Sequence, residues 1–158
     1  MNTTIYTVGI GRDLTPEDLK ALLPEHLHSP MRLGIIDIRR PIRSRNHSWD
    51  DPWAACESWA SYFPAHELAN AKDAPVGERS WIPCFGQDKA EYRLTKLANV
   101  LLHPPQEDIA LVLLCQCREL EVRYKRDGRL KAQCHRKPVA EELAQRTSAT
   151  VVHLGGAA

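Results

Sequence analysis

The apolar positions of this chain alternate between two rhythms. Thr4 to Val8 is β-branched and aromatic and runs into Gly9-Ile10-Gly11, a strand followed by a tight turn. Thr15 and Pro16 suit the start of a helix, Asp18 suits a capping box, and Leu14 with Leu19 suits a hydrophobic staple. Leu19, Leu22 and Leu23 then supply a core-facing stripe that Pro24 ends. Leu33 to Ile38 is a second strand, which completes a β-α-β unit.

From Asn46 to Phe85 the rhythm breaks, apart from a short helix capped by Asp51-Pro52, so about 46–86 reads as an irregular insertion. Asp88 with Glu91 predicts a second capping box, and Ala90, Leu94, Leu97, Ala98 and Leu101 continue at helical spacing. Ile109 to Cys115 is an unbroken apolar run, as in a central parallel strand covered on both faces. A basic, Gly-containing stretch at 118–133 reads as a second insertion. Pro138 opens a last helix over Val139, Ala140 and Leu143, and Thr150 to Leu154 forms a last strand.

Strands alternating with helices imply one three-layer α/β domain over 1–158, Rossmann-like or flavodoxin-like, with a short, mostly parallel sheet flanked by helices. In such sheets ligands bind beyond the carboxyl ends of the strands. Gly9 to Gly11, Asp37 to Arg45, Cys115 to Arg118 and Cys134-His135-Arg136 are therefore expected at a common rim.

Composition narrows the function. With 158 residues, 43% of them hydrophobic and 26% charged, the chain suits a single globular domain and excludes global disorder. It has no stretch of ~18 uncharged apolar residues and no signal-peptide pattern, so the expected location is cytoplasmic and no membrane partner is expected. Five Cys, an odd number, suit free thiols better than a disulfide framework. The net charge of +1 hides an asymmetry, with +4 in residues 39–45, +5 in 118–137 and −8 elsewhere. Two basic segments on an acidic body favour a localised anion site.

At that rim the candidate catalytic residues are Asp37, Cys134 and His135, and the candidate substrate-binding residues are Arg39, Ser44, Arg45, Cys115 and Arg136. Free N–H groups at a helix start favour an anion, either a phosphate or a Cys134 thiolate, and arginines fork onto phosphate oxygens. Asp37 or His135 is the acid/base candidate, and Asp37 paired with Arg39 is the structural alternative. Cys115, Cys117, Cys134 and His135 are four possible zinc ligands, but C-x-C and adjacent C-H fit poorly with the two-to-four-residue spacing usual in structural zinc sites, so no metal is expected. No cofactor motif occurs. Cys117 and Arg123 match a bare Cys-x5-Arg spacing, yet the five residues between include Glu119 and Glu121 and no Gly, which is hostile to a phosphate. Trp49, Trp53, Trp59, Trp81, Tyr62, Phe63 and Phe85 crowd the first insertion, as a lid that stacks a base or as a satellite core.

Three functions follow as expectations. The first is an enzyme or binder for a phosphate-bearing small molecule such as a nucleotide. The second is a nucleic-acid binding module using the basic segment 118–137, and the third a structural or partner-binding domain with inert thiols.

The chain also resembles a family known as domain of unknown function 488. The resemblance rests on Ile5-Tyr6-Thr7-Val8-Gly9, Asp37-Ile38-Arg39 with Ser44-Arg45, Tyr62 to Leu68, Leu113-Leu114-Cys115, Cys134-His135-Arg136 and Val152-His153-Leu154. It implies a compact α/β domain with a pocket at these residues and implies no particular reaction. Three features depart from the family pattern: Gly9-Ile10-Gly11 replaces a Gly-His-Ser turn, Pro41 stands one position early, and Cys117 replaces an acidic residue.

Overall fold

The structure, a computed structural model, describes residues 2–40, 46–71 and 81–155. Five parallel strands, β1 (Asn2–Gly9), β2 (Leu33–Asp37), β3 (Ser61–Pro64), β4 (Asp108–Cys115) and β7 (Thr150–Leu154), form one sheet in the order β3-β2-β4-β1-β7. A separate antiparallel hairpin, β5 (Glu121–Arg123) with β6 (Leu130–Gln133), fills the second insertion. The helices are α1 (Pro16–Leu22), α2 (Pro52–Cys56), α3 (Gln87–Leu102) and α4 (Arg136–Thr147).

Side chains alternate across a strand, and β4 shows what that does in a central position. Its Ile109, Leu111, Leu113 and Cys115 join a core with Leu94, Leu97 and Leu101 of α3 and Val139 and Leu143 of α4. Its Ala110, Val112 and Leu114 join a second core on the opposite face, with Leu19 of α1, Cys56 of α2, Trp49 and Trp59. The unbroken apolar run is thus explained by burial on both faces, and the fold is a three-layer α/β sandwich.

Local chemistry sets the helix boundaries. Thr15 Oγ1 accepts from the Asp18 N–H at 3.1 Å and the Asp18 carboxylate accepts from the Thr15 N–H at 3.0 Å, the capping box expected for α1. The expected box at Asp88 does not form. Helix α3 starts two residues earlier behind Gly86, whose φ of 98° suits only glycine, and Asp88 lies inside the first turn, where its charge faces the positive end of the helix dipole. Helix α4 likewise begins at Arg136, with Pro138 still in its first turn.

The first insertion holds more order than its sequence suggests, because β3 pairs in parallel with β2 and extends the sheet. Trp49 and Trp59 are buried in the second core as a satellite beneath the loop, whereas Trp53 and Phe85 are exposed. Among the described residues no helix is long and apolar enough to cross a membrane.

Candidate functional site at the carboxyl ends of the strands

Pairing in the sheet sets Gly9 of β1 opposite Cys115 of β4, and Asp37 of β2 opposite Leu114. The Ile38 N–H donates to the Leu114 carbonyl at 3.0 Å, and the Ile10 N–H to the Cys115 carbonyl at 2.9 Å. Three strand ends therefore meet at one edge. The fourth segment joins them through His135, whose Nε2 lies 3.0 Å from the Ile38 carbonyl oxygen. Segments about a hundred positions apart in the chain thus come within one hydrogen bond, as successive parallel crossovers require.

At the centre lie three thiols. The sulfurs of Cys115, Cys117 and Cys134 are all within 4.8 Å of one another, with Cys115 and Cys134 buried and Cys117 exposed. Strand β4 delivers Cys115, the loop after it Cys117, and the turn before α4 delivers Cys134. His135 backs this cluster, with Nδ1 3.6 Å from Cys115 Sγ. The Ile38 carbonyl has no hydrogen to give, so Nε2 carries one and donates, which fixes the ring with Nδ1 facing the Cys115 sulfur. The His135 ring is not among the groups that lie within 4.8 Å of all three sulfurs, so among the described residues the cluster has three members.

The three thiols do not share one acidity. The neighbouring Cys115 and Cys134 thiols hydrogen-bond to the Cys117 sulfur and hold its pKa far below the ordinary thiol range; burial works against this, and the charges of His135 and Arg136 reinforce it. Cys115 is pushed up to about 12, chiefly through its hydrogen bond with Cys117. Burial raises Cys134, and its contacts with the other two sulfurs add to that rise. Negative charge in the cluster therefore settles on the one sulfur that meets solvent.

Arg136 supplies the matching positive charge. It is fully buried, and among the described residues it forms no ion pair with a carboxylate and its Nε has no hydrogen-bond partner. Nη1 donates to the Cys117 carbonyl at 2.8 Å and Nη2 to the Arg118 carbonyl at 3.4 Å, which clamps the loop after β4. The same loop crosses β1 so closely that a Cβ on Gly9 would stand 1.6 Å from the Cys117 carbonyl oxygen. Only glycine admits that crossing.

The Asp37 cluster is built differently. Arg39 forks onto Asp37, Nε at 2.9 Å and Nη2 at 2.7 Å, and the Tyr62 hydroxyl donates to Asp37 at 2.5 Å. Burial raises the Tyr62 pKa well above its ordinary value, and the Asp37 charge raises it further. The carboxylate is thus satisfied internally, whereas Arg39 keeps one buried N–H, Nη1, without a partner among the described residues. Cys115, Cys134, His135 and Arg136 are brought together, Asp37 and Arg39 sit one strand away as an ion pair, and Ser44 and Arg45 lie outside the described residues. A cleft of about 220 Å³ adjoins the loop beside Gly9, Arg12 and Arg118.

Sequence reasoning left two members of this site in the background. Cys117 enters the sequence reading as a poorly spaced metal ligand and a discounted Cys-x5-Arg match, and Gly9 as a turn residue, neither among the candidate site residues; the approach of the Cys117 carbonyl to β1 is what gives both a role. No family model, curated protein or solved structure matches the chain.

Proposed function

We propose that this rim binds a small anionic molecule, of the phosphate-bearing class that includes nucleotides, and acts on it through cysteine sulfur. The observation that carries the reading is Arg136, a buried guanidinium with no carboxylate partner among the described residues, beside three thiols. A buried charge must be compensated, and a thiolate or a bound anion provides that compensation here. The first turn of α4 adds its dipole in the same sense. Cys117 is the sulfur exposed where the ligand enters, His135 braces Cys115 behind it, and Asp37 with Arg39 shapes the neighbouring strand end.

The resemblance to the domain of unknown function 488 family supports the same rim, since Cys115 and Cys134-His135-Arg136 are its most specific part. A reducing, cytoplasmic setting suits five free thiols. The test is thermal stabilisation by inorganic phosphate and by nucleotides. Stabilisation is expected in the native protein and reduced in Cys117→Ser; equal stabilisation of both, or none of either, contradicts the reading.

One observation favours a second reading. The β5–β6 hairpin exposes Tyr124, with Arg129 and Lys131 5.6 and 5.8 Å from its ring, a platform on which a base of single-stranded nucleic acid could stack. That reading expects affinity for an oligonucleotide to fall steeply with salt and to be lost in Tyr124→Ala.

A further inference from the structure

We propose that Cys115, Cys117 and Cys134 together bind one soft divalent cation, for which Zn²⁺ is the representative, and leave one coordination position open at the rim. This deepens the anion reading and rests on it only in the use made of the open position.

Geometry supplies the first argument. Zn–S bonds of about 2.3 Å in a tetrahedron place sulfurs ~3.8 Å apart. The three sulfurs already stand within 4.8 Å of one another, so side-chain rotations that close about 1 Å complete the set. The ligands come from two chain segments held by β4 and α4 and not from one local knuckle, which is why the short C-x-C spacing does not forbid the site.

Charge supplies the second. Three thiolates around a divalent cation leave one net negative charge. Arg136 offers one positive charge, buried, with no carboxylate opposite it among the described residues, and its Nη1 grips the carbonyl of the Cys117 ligand. Without a metal, three clustered thiolates would repel one another; the cation lets all three ionise and leaves the cluster with the single net negative charge that Arg136 balances.

Support from behind supplies the third. Ligands of metal sites are usually held by a second layer of hydrogen bonds. Here the His135 ring, anchored through Nε2 on the Ile38 carbonyl, packs against Cys115 Sγ and holds that ligand from behind. Two buried sulfurs exclude water from one side, and exposed Cys117 leaves an entry for the ion. As the cation binds, each ligating thiol still protonated releases its proton to solvent; no electron moves. Three protein ligands with a free fourth position characterise zinc sites that take a substrate, and a phosphate oxygen suits that position.

The experiment uses the full chain, reduced, titrated with Co²⁺ and then with Zn²⁺ in competition. Expected are one equivalent of metal per chain, an intense sulfur-to-cobalt charge-transfer band with tetrahedral visible bands, and affinity lowered at least about tenfold in Cys117→Ser. Cys117 is exposed, so this variant keeps its fold, and Cys84→Ser, outside the cluster, is expected to bind as the native protein does. Absence of the charge-transfer band, or equal affinity in folded Cys117→Ser, overturns the site. Inorganic phosphate then separates the two claims. Phosphate that alters the cobalt bands supports both. Cobalt bands indifferent to phosphate uphold the three-sulfur site and count against its open position and the anion reading. Phosphate binding by a chain that shows no cobalt band overturns the metal site alone.

Discussion

The guanidinium of Arg136 donates from Nη1 to the main-chain carbonyl of Cys117 at 2.8 Å, from a position with no exposed surface. That bond ties the first turn of α4 to the loop after β4 and brings the exposed sulfur and the buried charge to the same point of the rim.

Removing the guanidinium orphans the two carbonyls that it holds. Arg136→Met is expected to lower stability by about 2 kcal/mol, the scale of leaving buried polar groups unpaired. Arg136→Lys, which keeps a charge but loses the fork, is expected to fall between Met and the native residue. Urea midpoints measure both, and a midpoint unchanged in Arg136→Met contradicts the clamp.

Gly9 is the other half of the same crossing. In Gly9→Ala the new methyl group meets backbone, at 1.6 Å from the Cys117 carbonyl oxygen, which cannot rotate away as a side chain can. A loss of about 3 kcal/mol or more is expected, with displacement of Cys117. Gly34→Ala is the comparison, because there the methyl group meets the movable end of Leu111 at 3.1 Å and the cost is expected to be smaller. Parallel thermal melts decide it, and equal losses contradict the close approach.

Tyr62 gives a signature in alkali. Burial, the hydrogen bond to Asp37 and the Asp37 charge raise its pKa in the folded protein, whereas in the unfolded chain a tyrosine ionises near pH ~10. Above that pH the unfolded chain releases a proton that the folded protein retains, so stability falls as pH rises. Tyr62→Phe is expected to cost about 1–2 kcal/mol at neutral pH, through the hydrogen bond lost to a carboxylate, and to flatten the alkaline decline. Tyr6, also raised by burial, keeps part of it. Denaturation midpoints between pH 8 and 11 would show it, and an undiminished decline in Tyr62→Phe contradicts the assignment.

Much of this architecture was legible in the residues. The apolar run of β4, the capping box of Thr15 and Asp18 and the last strand are local signals that tertiary packing reinforces, and the crossover rule carried Ile38 and His135 to the same edge. Strand β3 was not legible, because Ser61–Pro64 is a four-residue edge strand without an apolar run, held by pairing to β2. The start of α3 was misplaced because Gly86 ends the preceding turn through its own backbone, which makes a side-chain cap unnecessary. The sulfur cluster escaped a rule based on local spacing, since Cys134 reaches Cys115 and Cys117 through the fold. The burial of Arg136 also left no mark in sequence, where it reads as an anion-binding side chain at the rim and not as a clamp beneath it.

The most direct measurement is a map of backbone amide shifts during titration with inorganic phosphate and a nucleoside monophosphate. Saturable shifts confined to Gly9–Gly11, Ile38–Arg39, Cys115–Arg118 and Cys134–Arg136 are the predicted result. Shifts concentrated instead on the β5–β6 hairpin around Tyr124, or spread evenly over the basic surface, would contradict it.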